Sequence, residues 1–230
     1  MLGWLFNLEY KRRRLLDKAP EGPLREYLAK PFPDRNTPID EALLLAMDFE
    51  TSGLDAKNDH LLSVGYVTLQ NNRVSLETAH HQIIHSKRDM SEDNVTIHHI
   101  THDQVAEGMT LPQAVEAILC QLQGKVLLAH HAAVEIGFLQ QACRNLYGIA
   151  PVIPAIDTMQ LARQRLERRQ QPIKAHELRL FNLRKKYGLP RYQAHNALMD
   201  AIATAELFLA QLAHGNYRKP PPLRNFLLRP

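Results

Sequence analysis

At 230 residues the chain can hold one large domain, or one domain with extensions, and has ample material for a core. Hydrophobic content of 45% and charged content of 23% are ordinary for a soluble globular protein, and the two cysteines, Cys120 and Cys143, fall in apolar helical contexts that exclude a disulfide framework or a thiolate metal cluster. A net charge of +4 is compatible with a polyanionic partner without requiring one.

The chain opens on Met1–Leu8, an apolar stretch placed before its basic residues, Lys11 to Arg14. A signal peptide has the reverse order, and no window approaches the length of a membrane span, so a cytoplasmic location is expected. Residues 1–40 read as a partly helical extension. Trp4, Leu5, Leu8, Leu15 and Leu16 can line one side of a helix whose other side carries Lys11, Arg12, Arg13 and Arg14. Packing on its own domain is favoured over a membrane, nucleic acid or partner surface. Pro20, Pro23, Pro31, Pro33 and Pro38 are expected to break regular structure before the core begins.

At Leu43 the pattern changes. The run Leu43-Leu-Leu-Ala-Met47 reads as a buried strand, followed at once by Asp48-Phe-Glu50-Thr-Ser-Gly-Leu54. Side chains alternate along a strand, so Asp48 and Glu50 share a face and repel each other unless a cation sits between them. A hard divalent ion such as Mg²⁺ or Mn²⁺ suits such oxygen ligands. Ordinary solvated acids are the alternative, since Asp-x-Glu alone is common.

Leu61–Gln70 and Arg73–Ile84 read as a hairpin turned at Asn71-Asn72. Thr110-Leu-Pro-Gln113 is a capping-box pattern opening a helix to about Gln123, with Gly124 beyond it. A short buried strand over 125–129 leads to a helix from about Ala133 to Tyr147, stopped by Gly148. Ala155–Thr158 is strand-like and leads into a helix that fades in the charged run Arg163–Arg169. Leu178–Tyr187 reads as one helix stopped at Gly188, and a last helix spans about Ala197 to Ala213. The tail over 216–230 is basic, Pro-rich and extended. Hairpin first, then alternating helix and strand, predicts a mixed α/β sheet with helices on its faces over 41–215.

Acids recur at the margins of these elements: Glu135 where a strand hands over to a helix, Asp157 in Ile156-Asp-Thr158, and Asp200 five residues after His195. A neutral imidazole in the loop before the final helix can take a proton from water near neutral pH. Two cations about 3.5–4 Å apart would activate that water and stabilise a phosphodiester's leaving oxygen.

These segments resemble the motifs of the DEDDh 3′–5′ exonucleases of the DnaQ-like group, which includes the DNA polymerase III epsilon proofreading subunit and ribonuclease T. Asp48-Phe-Glu50-Thr-Ser-Gly-Leu54 matches the first motif, and His195-x-Ala197-x-x-Asp200 the last, whose histidine separates this branch from relatives that use a tyrosine. Leu128-Ala-His130 with Phe138-Leu139 fits the middle motif, and Ile97-His-x-Ile-Thr101 is similar to a further family element. The likeness covers about residues 43–213 and implies a ribonuclease H-like sheet, an antiparallel hairpin followed by parallel strands. By resemblance Asp48, Glu50, Asp200 and Glu135 would hold two Mg²⁺ or Mn²⁺ ions, with His195 the general base. Thr51, Leu54, His130 and Phe138 would border the terminal nucleotide of a single-stranded or 3′-end substrate, DNA or RNA. The implied activity is release of nucleoside monophosphates, in a proofreading or repair role and with a DNA polymerase subunit as a partner.

Two positions depart from the family pattern. His131 stands in the place of the usual Asn, and Glu135 in the place of the usual Asp, keeping the charge but adding a methylene. Either a metal contact survives in altered geometry, or the domain is a weak or inactive exonuclease fold serving as a nucleic-acid-binding or polymerase-associated scaffold. His99 replaces a Gly away from the chemistry. The clusters His80-His81-His85 and His98/His102 lack the partners of a zinc site and read as structural or surface residues. Asp157 is expected to cap or brace the following helix.

Overall fold

The computed structural model describes residues 3–85, 108–192 and 195–229, with side chains from Leu8 onward. Ile97–Thr101, His98, His99, His102 and the side chains of Trp4 and Leu5 lie outside the described residues. Seven α-helices surround a five-stranded sheet among those described: α1 (Gly3–Leu16), α2 (Pro23–Ala29), β1 (Leu44–Thr51), β2 (Leu61–Gln70), β3 (Arg73–Ile83), α3 (Leu111–Leu122), β4 (Val126–Ala129), α4 (Ala133–Tyr147), β5 (Ala155–Asp157), α5 (Thr158–Arg168), α6 (Leu180–Lys186) and α7 (Ala197–Ala213).

Strand order is β3-β2-β1-β4-β5, with β1 antiparallel to β2 and parallel to β4. The first hairpin turns where expected, because Asn71 and Asn72 both adopt the left-handed backbone (φ 53° and 58°) that a two-residue turn requires. The central strand is buried on both faces, which is why its sequence runs apolar without alternating. Leu45, Met47 and Phe49 point into a core shared with α2, α3 and α4, whereas Leu44 and Ala46 pack against Ala205 and Phe208 of α7. Asp48 and Glu50 continue this second row, so they leave the core on the α7 side.

Both flanks pack into the fold. The 220s lie along the sheet edge: Leu227 bridges Ile156, the Leu228 N–H donates to the Ala155 carbonyl at 2.7 Å, and Leu223 is fully buried. At the other end, Pro23 opens a helix instead of breaking one, because the first helical position needs no N–H. Leu24, Tyr27 and Leu28 of that helix enter the main core. Helix α1 docks on it as expected, through Leu15, Leu16 and a buried Arg12 that donates to the Leu28 carbonyl and pairs with Glu9.

The helix expected over Leu178–Tyr187 starts two residues later, at Leu180. A 3₁₀ turn (Ala175–Leu178) is separated from α6 by Arg179, whose extended backbone (φ −62°, ψ 144°) lets Leu178 and Leu180 both point inward. No helix among the described residues is long and apolar enough to cross a membrane.

Deleting residues 220–230 should remove three buried side chains, Leu223, Phe226 and Leu227, from the core. At ~1.5–3 kcal/mol for each, about 5 kcal/mol is lost, equivalent to a fall in Tm of roughly 10–20 °C. An unchanged melting curve would show that the tail contributes nothing.

Candidate active site

The site forms where the C-terminal end of β1 meets the first turn of α7. Asp48 and Glu50 come from the strand and Asp200 from the helix, and one carboxylate oxygen of each lies within 4.8 Å of the others. A glycine makes this possible. Gly65 on β2 pairs with Asp48, and a Cβ there would sit 2.1 Å from the Leu198 nitrogen and 2.4 Å from its Cα. The helix start therefore rests on bare strand backbone. Asn196 caps that start, its side chain accepting from the Met199 N–H at 3.1 Å.

His195 precedes the cap, exposed, with a left-handed backbone (φ 67°) and its N–H 3.3 Å from Asp200 Oδ2. The loop that leads to it is anchored by Arg184, a guanidinium only 1% exposed. Arg184 donates to the carbonyls of Ala203 (2.7 Å) and Pro190 (2.9 Å), pairs with Glu206 at 2.8 Å and lies over the Tyr192 ring. The Tyr192 hydroxyl in turn donates to Glu206. Helices α6 and α7 and the approach to His195 are thus joined by one buried network, costly to break because its charge would be left unpaired.

Glu135 stands in the first turn of α4, buried, where the backbone of Phe49 and its own backbone act against the effect of burial by favouring its charged form. It lies close enough to raise the pKa of Asp48, yet it falls outside the group of three. Its Oε2 has no hydrogen-bond partner among the described residues.

The electrostatics follow from crowding. Burial, and then the charges of Glu135, Asp200 and Glu50, hold the Asp48 carboxyl well above the usual carboxylate range. Burial and Glu50 push Asp200 up to about 7, against the pull of the His195 N–H and Arg184. Burial raises Glu135 as well. Three carboxyls this close cannot all ionise near neutral pH without a counter-charge. The buried Asp200 Oδ1 is without a partner among the described residues, so the donor set suits a divalent cation.

The model of the exonuclease family RNase_T matches residues 45–208. The chain belongs to this exonuclease family. Among curated relatives, the DNA polymerase III subunit epsilon of Treponema pallidum is 31% identical over 170 residues, 74% of this chain and 76% of that protein. The PolC-type DNA polymerase III of Thermotoga petrophila is 29% identical over 171 residues. The chain spans only 12% of that polymerase's length. The nuclease domain of 3′hExo, a DEDDh family member bound to rAMP, shares the fold with TM-score 0.65 and 17% identity over 78% of this chain and 96% of that one. Escherichia coli exonuclease I in complex with a dT13 oligonucleotide does so with TM-score 0.63 and 16% identity, over 76% of this chain and 41% of that one. The DnaQ-like resemblance and the ribonuclease H-like sheet are borne out.

Within this exonuclease domain the remaining sequence-predicted residues separate into two kinds. Thr51 ends β1 and Leu54 sits in the turn after it, where the Thr51 hydroxyl donates to the Gly53 carbonyl and Leu54 is 77% exposed, an uncovered apolar side chain at the rim. Phe138 is buried, lining a cleft beside Ala56 and His60. His130 has both ring nitrogens engaged inside the protein. Its Nε2 donates to the Leu178 carbonyl (2.9 Å), so Nδ1 accepts from the Thr158 hydroxyl (2.8 Å), and burial lowers its pKa to about 4. It braces the site from behind. Asp157 does the same as expected, accepting from the N–H groups of Met159 and Gln160 and also from His131 and Ala132. His131 is left-handed (φ 71°), a conformation that Asn and His both tolerate, so the departure from the family pattern falls on backbone geometry. Of the discounted histidines, His80 stacks on Tyr66, while His81 pairs with Gly65 and feels the charge of Glu50.

Gly65 and Arg184 were not singled out by sequence reasoning. A lone Gly inside a strand pattern was a usable signal of close backbone approach; nothing distinguished Arg184 from Lys185 and Lys186.

Asp200 has a folded-state pKa above its ordinary 3.8, so the metal-free fold binds more protons than the unfolded chain between pH 3.8 and about 7. Its contribution to stability therefore falls as pH rises through that window. Asp200→Asn should raise the metal-free Tm at pH 8, by roughly 2–4 °C for about 1 kcal/mol, and should abolish stabilisation by Mn²⁺. A lower metal-free Tm with an intact Mn²⁺ response would contradict this arrangement. Gly65→Ala should weaken the Mn²⁺ response at least tenfold in metal concentration, because the first turn of α7 must lift; an unchanged response in the same melting assay would show that the approach is dispensable.

Proposed function

We propose that the protein is a metal-dependent 3′–5′ exonuclease that releases nucleoside 5′-monophosphates from single-stranded 3′ ends. The observation that carries this reading is the convergence of Asp48, Glu50 and Asp200 within 4.8 Å, with His195 hydrogen-bonded to Asp200 through its own backbone. In this reading the three carboxylates hold two divalent cations, Mg²⁺ or Mn²⁺. Bound there, the cations would acidify water and neutralise charge on the phosphoryl oxygens. His195 takes the proton of the attacking water as its oxygen bonds to phosphorus. The bond from phosphorus to the 3′ oxygen of the preceding nucleotide breaks, and that oxygen is protonated from solvent. Leu54, exposed on the rim, offers an apolar surface to the terminal base, and Thr51 fixes the turn that presents it. Phe138 supports this wall from within, and His130 acts through the helix start that carries Glu135.

Support for the substrate class comes from the neighbours, which include exonuclease I with a dT13 oligonucleotide and exonuclease X with 5′-overhanging duplex DNA. The polymerase III relatives support a proofreading or repair role and a polymerase subunit as partner.

One observation favours a second reading, a non-catalytic nucleic-acid-binding domain: Glu135, though close enough to raise the Asp48 pKa, falls outside the group of three acids that lie within 4.8 Å of one another. A single assay distinguishes the two. With 3′-labelled single strands, the exonuclease releases monophosphates with Mg²⁺ or Mn²⁺ and none with chelator. Asp48→Ala reduces release to background, and His195→Ala reduces it by about 10²–10⁴-fold, the usual worth of a general base. No metal-dependent release from the natural chain, together with recovery in Glu135→Asp, would establish the second reading. Full activity in Asp48→Ala would refute the ligand assignment.

A further inference from the structure

The net positive charge of this protein is concentrated in one stretch. Residues 163–191 carry ten Lys and Arg against two acids, Glu167 and Glu177, a local charge of +8 where the whole chain has +4. Everything outside this stretch is net negative, at −4. The stretch folds as α5, the 3₁₀ turn and α6, held together by a small apolar core that includes Ala162, Leu178, Leu180 and Leu183, with Leu207 contributed by α7. Its cations point outward. Arg163, Arg168 and Arg169 on and just after α5, Arg179 between the two turns, and Lys185 and Arg191 around α6 are all exposed. Among the described residues, the ion pairs within this ridge are the buried Arg184–Glu206 and Lys186–Glu177 at 2.6 Å. These six cations have no carboxylate partner among the described residues, although like charges this close repel.

The ridge is also fastened to the acidic site at three points. Helix α5 starts directly after Asp157, which caps it. The 3₁₀ turn is tied to the middle motif by the His130–Leu178 bond. Arg184 joins α6 to α7 and to the loop before His195. From Asp157, helix α5 leads away from the acids, since Arg165 donates to the His214 carbonyl just past the far end of α7 from Asp200. A strand whose 3′ end lies among the acids can therefore meet this unneutralised surface upstream of that end, along an α5 of ~16 Å.

We propose that this ridge is a second, non-catalytic contact surface that binds the phosphate backbone of the substrate strand upstream of its 3′ end. The inference rests on the reading of the acidic cluster as a 3′-end nuclease site. A sequence-independent polyanion fits because the cations are spread along the ridge and no pocket for a base edge is needed. The site proper, being acidic, repels the same backbone unless cations are bound, so an adjacent basic surface supplies the attraction that the site lacks.

The test uses the full chain with two triple variants, Arg163→Ala/Arg168→Ala/Arg169→Ala and Arg179→Ala/Lys185→Ala/Arg191→Ala, each checked for an unchanged melting curve. Binding of a fluorescein-labelled single-stranded 12-mer is measured in chelator, from 50 to 300 mM salt. Turnover of the p-nitrophenyl ester of thymidine 5′-monophosphate, which is too small to reach the ridge, is measured with Mn²⁺. Each triple variant should bind the 12-mer at least tenfold more weakly at 50 mM salt. Its slope of log affinity against log salt should be shallower by about 2, near 0.7 for each phosphate no longer neutralised. Ester turnover should not change. Unaltered 12-mer affinity and salt slope would overturn the proposal. So would competition by polyglutamate as strong as that by unlabelled 12-mer, which would make the ridge a surface for an acidic protein. If the natural chain fails to hydrolyse the ester, the nuclease reading falls, and the 12-mer arm still decides the ridge.

Discussion

Carboxylates repel, and the fold is arranged to force three of them together. Asp48 and Glu50 leave a strand that is buried on both faces, so neither can relax by moving the backbone. Asp200 is carried in by a helix whose first turn lies directly on Gly65, at a distance that no side chain would permit. Left to itself this cluster keeps protons: burial and mutual charge hold Asp48 and Asp200 above the usual carboxylate range. The local strain is offset elsewhere, in the two apolar cores that clamp the sheet from both sides. A site that is unfavourable in the empty protein is poised to gain from a divalent cation, because the ion replaces repulsion with attraction and displaces the protons.

Precision around the cluster comes from groups that never touch it. Asp157 gathers four backbone N–H groups from two helix starts and so fixes β4, β5 and the entry to α4 in one register. His130, neutral and bonded at both nitrogens, ties that entry to the 3₁₀ turn. Arg184 does the equivalent on the other side, where the approach to His195 would otherwise be a free loop. These supports explain how an exposed histidine with a left-handed backbone can be held one residue before a helix cap.

Much of this was legible in the residues because the local signals agree with the global fold. The hairpin at Asn71-Asn72, the glycine stop at Gly148 and the alternation that puts Asp48 beside Glu50 are short-range effects, and each is seen in the structure. What was not legible depends on distant partners. The tail reads as an extended Pro-rich strand, and only the exposed edge at β5 makes Leu227 a core residue. The helix expected over Leu178–Tyr187 starts only at Leu180, because Leu178 ends a separate 3₁₀ turn and turns its carbonyl to His130, 48 residues away. Glu135 could be named as the departure from the family pattern, but its burial close to Asp48 depends on the packing of α4 against β1.

The central claim is that the metal-free acids hold protons which a cation must displace. Calorimetric titration with Mn²⁺ at pH 7, in two buffers of different ionisation enthalpy, counts those protons directly. The account predicts release of about one or more protons for each protein saturated, and little or none from Asp48→Asn. Binding of Mn²⁺ to the natural chain with no proton released would contradict it.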